Sequence, residues 1–111
     1  MTTFDKREEG FEKKFALDEE LRFKANARRN KLLGLWAAEK LGKKGADAEK
    51  YAKDVVMTYL DHKGNDAMIE KLTKDMGKAG IHITSKEIRA EMERLFPIAR
   101  QEIQGKSSGN P

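Results

Sequence analysis

The side chains of this sequence that could do chemistry are nearly all charged: 23 Lys and Arg and 19 Asp and Glu stand against two histidines and no cysteine. Lacking cysteine, the chain has no disulfide, thiolate nucleophile or thiolate metal site, which suits a reducing compartment. His62 and His82 fall in different breaks of the sequence with no carboxylate at i+3 or i+4 on a shared helix, so no metal-ligand spacing arises. The acid pairs Glu8 with Glu9 and Glu19 with Glu20 lie in a highly charged stretch. They lack the apolar pocket that would raise one pKa for general-acid work. Gly42-Lys43-Lys44-Gly45 lacks the spacing of a phosphate-binding loop and reads as a helix stop. The expectation is a protein that is not an enzyme, holds no metal and requires no cofactor. Its function then lies in binding.

Two patterns suit binding. Phe4, Phe11 and Phe15 are seven and then four residues apart, which at 3.6 residues per turn puts the rings on one helical face, opposite Lys, Arg, Asp and Glu. So narrow an apolar stripe has too little surface to bury within its own domain and fits a groove on another body. The second pattern is a basic block, Arg22, Lys24, Arg28, Arg29 and Lys31, with no acid among residues 21 to 31. Residues 1 to 20 instead carry seven acids and four bases, so the segment is polarised in the sense that suits a helix dipole. Glu9 with Lys13, Asp18 with Arg22 and Glu20 with Lys24 have the favourable i, i+4 order. The block has only Phe23 as an interleaved aromatic, which makes it a poor nucleic-acid site and a better root for an inserted arm, fastening to acids on a protein partner.

Helices must position these residues. At 111 residues the chain is one domain, and its 38% apolar and 38% charged content with scattered β-branched residues favours an all-α fold. Leu32, Leu33, Leu35, Trp36, Ala37, Ala38 and Leu41 carry the first helix into a core, and Gly42 to Gly45 end it. A second helix over 47–62 turns Tyr51, Ala52, Val55, Val56, Tyr59 and Leu60 inward, and a third over 66–78 does so with Met68, Ile69, Leu72 and Met76. Met57, like Met68, Met76 and Met92, stands at core spacing. The fourth helix, 85–104, opens on a capping box of Thr84 and Glu87 flanked by Ile83 and Ile88. Its inward stripe is Ile88, Met92, Leu95, Ala99 and Ile103, with Phe96 as a further core anchor and a bend at Pro97.

Short connections make sequential helices antiparallel, so the expected architecture is a four-helix up-and-down bundle with helices at about 19–41, 47–62, 66–78 and 85–104. Three segments follow: residues 1–18 as an arm that is mobile in the free protein, 19–104 as the bundle, and 105–111 as a Ser- and Gly-containing disordered tail. No apolar run approaches the roughly 20 residues of a membrane span, and charge begins at Asp5 where a signal peptide would need an apolar core. A soluble, cytoplasmic protein is expected, without membrane insertion. The net charge of +4 is spread over mixed signs, which weakens a nucleic-acid role.

Particular residues also carry a likeness to a known family. The opening Met1-Thr2-Thr3-Phe4-Asp5, the run Lys14-Phe15-Ala16 with Glu20-Leu21, the block Phe23-Lys24-Ala25 with Ala27-Arg28-Arg29-Asn30-Lys31-Leu32-Leu33-Gly34 and Trp36-Ala37-Ala38, and Tyr51-Ala52 before Val55-Val56 resemble the zeta subunit, the inhibitor of the bacterial F-type ATP synthase of the alphaproteobacterial type. The Ala-Arg-Arg-Asn to Trp-Ala block is the specific part. The resemblance implies a four-helix protein whose N-terminal segment enters a catalytic interface of the ATPase head beside the central rotor stalk and blocks rotation in the hydrolytic direction. It implies partner-contact roles for Phe4, Asp5, Arg7, Phe15, Leu21, Phe23, Lys24, Arg28 and Arg29, to which the stripe adds Phe11. It also implies a free monomer, residence at the cytoplasmic face of the inner membrane through the synthase, and weak adenine-nucleotide binding to the bundle, for which no dedicated motif is present. Gly10 stands where a better helix former is expected, and Phe11 enlarges the apolar stripe. The alternative is a basic helical module that binds nucleic acid or another protein.

Overall fold

Helix stops written as glycine organise the chain. Gly42 and Gly80 both take a left-handed backbone, with φ of 77°. At the first, Lys43 N–H donates to the Ala38 carbonyl at 2.9 Å and Gly42 N–H to Glu39 at 3.0 Å; at the second, Ile81 N–H donates to Met76 at 2.8 Å and Gly80 N–H to Gly77 at 3.0 Å. Each pair is a Schellman motif, satisfying carbonyls that the helix end would leave open. In this computed structural model the chain is all-α, with α1 over Thr2–Lys40, α2 over Ala46–His62, α3 over Asp66–Lys78 and α4 over Ser85–Ser108. Side chains are described for residues 19–104. The expected mobile arm with Phe4, Asp5, Arg7, Phe11 and Phe15, and the expected tail 105–111, lie outside these described residues.

The four helices form the expected bundle. α1 packs most extensively against α2 and α4, and α3 closes the far side against both. The core joins Leu33, Ala37 and Ala38 of α1 to Tyr51 and Val55 of α2, Met68, Ile69, Leu72 and Met76 of α3, and Ile88, Met92 and Leu95 of α4. α1 and α2 meet where Gly34 faces Ala52: a Cβ at Gly34 would lie 2.7 Å from the Ala52 Cα. The glycine lets two backbones approach as no other residue would.

The start of α4 forms the Thr84 half of its capping box, with the Glu87 side chain taking the Thr84 hydroxyl in place of the Thr84 N–H. The Glu87 N–H donates to Thr84 Oγ1 at 3.1 Å, and the same hydroxyl donates to Glu87 Oε1 at 3.2 Å. Ile83 packs against the core cluster on one side of this cap, and Ile88 is fully buried on the other. α4 then continues through Pro97, which lies with Glu93 on the exposed side.

Several residues depart from their expected places, among them Val56 and Ile103, which are half-buried and outside the core cluster. Met57 is 46% exposed and Leu60 39% exposed, because each lies well over a third of a turn around α2 from Val55, which faces the core. Phe96 is half-buried and outside the core cluster, since it sits about 100° around α4 from Leu95. α2 ends on Lys63, not Gly64, as its left-handed residue, with φ of 51°.

A polar cluster ties the bundle at one end. Tyr51 of α2 donates its hydroxyl to Asp75 of α3 at 2.8 Å, and Lys71 reaches the same carboxylate oxygen at 3.1 Å. The ammonium groups of Lys71 and Lys43 lie 5.2 and 5.7 Å from the centre of the Tyr51 ring. Burial pushes the Tyr51 hydroxyl well above the usual phenol range, and the hydrogen bond to Asp75 adds to the shift. Burial pushes Asp75 upward, but hydrogen bonds from Tyr51 and Lys71 outweigh it and hold the carboxyl below its ordinary value.

Candidate functional site

The root of α1, from Glu19 to Lys31, is where the expected partner-contact residues come into view, and α4 decides what they face. The helices run antiparallel, so Leu21, Arg22, Ala25 and Arg29 on α1 meet Ile103, Arg100, Phe96 and Arg89 on α4. On α4 the residues Arg89, Glu93, Phe96, Arg100 and Ile103 recur at steps of four and three, which makes a second stripe beside the buried one.

Three members of the basic block have an acidic partner within the chain, one of them partly buried and two at the surface. Arg28 donates through Nε to Glu102 of α4 at 2.5 Å, with both side chains mostly buried. Lys24 pairs with Glu20 along α1 at 3.1 Å, and Lys31 reaches Glu49 of α2 at 3.6 Å. Lys24 and Glu20 are largely exposed, so that pair contributes well under about 1 kcal/mol. Arg22 has no such partner among the described residues.

Arg29 is held differently. Its Nε donates to Asn30 Oδ1 at 3.0 Å and its Nη2 to Asn65 Oδ1 at 3.3 Å, both neutral acceptors, and the guanidinium lies 5.9 Å from the Phe96 ring centre. Burial lowers its pKa, opposed by the nearby Tyr59, but an arginine remains a cation at neutral pH. Asn30 is fully buried, and its Nδ2 has no hydrogen-bond partner among the described residues.

Phe96 stands between two grooves. One, of about 380 Å³, is lined by Leu21, Arg22, Ala25, Phe96, Arg100, Ile103 and Gln104. The other, of about 490 Å³, is lined by Arg29, Arg89, Met92, Glu93, Phe96 and Pro97. Both are lined by apolar side chains together with arginine.

Of the sequence-derived candidates, the structure gathers Leu21 and Arg29 along this α1/α4 face. Lys24 and Arg28 are spent on internal pairs, and Phe23 stands 56% exposed. Phe4, Asp5, Arg7, Phe11 and Phe15 lie outside the described residues. The sequence reading missed Phe96, Arg100 and Glu102 as site residues. The second stripe on α4, adjacent to its buried one, would have signalled Phe96 and Arg100, whereas Glu102 lies off that stripe and is found only through its pairing with Arg28. Among the described residues no group of three or more His, Asp or Glu is placed to hold a metal ion. No described helix is long and apolar enough to cross a membrane.

Comparison with curated proteins finds no match. The family model described as ATPase inhibitor subunit zeta matches residues 1–102, a span that takes in α1 with its charged N-terminal half, the α1/α4 face and nearly all of the bundle. The match therefore runs over both the long α1 and the all-α bundle in which it is rooted. The chain belongs to the ATPase inhibitor subunit zeta family, the inhibitor subunit of ATP synthase.

Proposed function

We propose that this protein restrains ATP hydrolysis by inserting residues 1–18 as a helix into a catalytic interface of the F-type ATPase head, beside the central rotor stalk, where they block rotation in the hydrolytic direction. The observation that carries this is the construction of α1: a single helix over Thr2–Lys40 whose C-terminal third, at Leu33, Ala37 and Ala38, is locked in the bundle core. Its 39 residues reach about 58 Å, against about 36 Å for the 24 residues of α4. A wedge needs such an anchor, because a load applied to the arm must be resisted by the body.

Phe4, Phe11 and Phe15 supply the apolar stripe to the partner, Asp5 and Arg7 flank it, and Leu21, Phe23, Lys24, Arg28 and Arg29 form the root. Phe23, 56% exposed, is the described aromatic best placed to be covered when the partner closes on α1. The partner is the set of nucleotide-binding subunits together with the rotor stalk, and the protein acts at the cytoplasmic face of the inner membrane, as a monomer when free. Weak adenine-nucleotide binding to the bundle belongs to the same proposal and is checked by titration of the arm-deleted protein.

Photo-crosslinking tests insertion. A photoreactive phenylalanine analogue replacing Phe11 should capture nucleotide-binding subunits in a stalled head, whereas the same analogue at Lys50 should capture none. Capture from Lys50 with none from Phe11 would contradict arm insertion.

A further inference from the structure

Three arginines on the α1/α4 face have no acidic partner among the described residues. Arg22 and Arg100 make no ion pair and no hydrogen bond among the described residues, and half-buried Arg29 donates only to amide oxygens. Their cationic neighbours differ: Arg28 is bound by Glu102, Arg89 by Asp66 and Arg94 by Glu91. The three unpaired groups sit on either side of Phe96, with Arg22 and Arg100 at one groove and Arg29 at the other. Holding a guanidinium partly out of water beside neutral acceptors leaves room for a carboxylate to improve it.

The apolar content of the grooves defines the rest of the ligand. Leu21, Ala25 and Ile103 line one and Met92 and Pro97 the other, with the Phe96 ring shared. An aliphatic side chain set over Phe96 would be enclosed on both sides, with carboxylates reaching arginine at each end. A nucleic-acid strand fits less well. One ring cannot stack successive bases.

The position of this face on α1 names the body that brings the peptide. Leu21, Arg22, Ala25 and Arg29 continue the helix that carries residues 1–18, so whatever takes the arm meets them next. We propose that the α1/α4 face centred on Phe96 docks an acidic, aliphatic segment of the ATPase head, a contact borne by the bundle that sets the affinity of the inhibitor while the arm supplies the block. This rests on the arm reading above.

The test is inhibition of ATP hydrolysis by the purified cognate head at low and physiological salt, with the full-length protein. Arg22→Glu with Arg100→Glu should raise the half-inhibitory concentration by about tenfold or more while leaving maximal inhibition unchanged, and should flatten its salt dependence. Lys50→Glu with Lys53→Glu, an equal charge change on exposed positions of α2, should behave as wild type. Should the double glutamate variant melt lower than wild type, Arg22→Gln with Arg100→Gln decides in its place, with a smaller shift in the same direction. Wild-type potency in the Arg22 and Arg100 variants would overturn the docking face and leave the arm reading standing. An equal loss in the Lys50 and Lys53 variant would overturn it as a net-charge effect. Tight retention of an oligonucleotide at physiological salt, abolished by the arginine variants while inhibition persists, would assign the face to nucleic acid instead. A folded wild-type chain that fails to inhibit would overturn both.

Discussion

Tyr51 joins three parts of the protein through one side chain: its ring packs in the core, its hydroxyl binds Asp75 of α3, and Lys43 of the first loop lies over its ring. The two titrating partners shift in opposite directions, which fixes how stability depends on pH. Tyr51 is raised, so its contribution is complete below the ordinary phenol value of about 10 and is lost as pH climbs toward its higher folded value. Asp75 is lowered, so its contribution is complete above the ordinary carboxyl value of about 3.9 and is lost as pH falls through the lower folded value. Tyr51→Phe should therefore cost about 1 kcal/mol at neutral pH and remove part of the alkaline loss of stability, read by denaturant unfolding at pH 7 and pH 11. An unchanged alkaline slope would show that the hydroxyl is not the titrating group. At the same scale, the proposed insertion of the arm predicts that Phe15→Ala weakens inhibition with little change in melting temperature; a large fall in melting temperature would place that ring in the bundle core.

Among the elements, α1 and α2 are held by the contact of Gly34 with Ala52. Gly34→Ala puts a Cβ 2.7 Å from a backbone atom, so the helices must separate and stability should fall by about 1–3 kcal/mol, although alanine is the better helix former. A neutral result in denaturant titration would show that the helices slide apart at no cost. At the end of α2 the sign reverses. Lys63 holds a left-handed backbone that glycine adopts without strain, and Lys63→Gly should stabilise by about 0.5–1 kcal/mol. The helix stops and the Thr84 cap are legible in the sequence because each is encoded within a few adjacent residues. The core stripes are legible for a related reason, since one period repeats along each helix. What lies across two helices is not legible in that way. Arg28 reads as a free cation until the register of α1 against α4 puts Glu102 beside it, and Phe96 reads as core until its angle from Leu95 is known. Met57 shows the limit within a single helix, because it is read at core spacing and its angle from Val55 places it outside.

The whole molecule joins an anchored body to a helix that outreaches it. Removal of residues 1–18 leaves every described core residue in place, because the cluster begins at Leu33 and ends at Leu95, so the truncated chain should fold and melt much as the full one does. The most direct measurement is ATP hydrolysis by a purified cognate ATPase head at physiological salt, with the full-length protein and with the protein lacking residues 1–18 at matched concentration. Inhibition by the full chain and none by the folded, truncated chain is the expected result. Equal inhibition by both would place the block in the bundle and contradict the inserted arm.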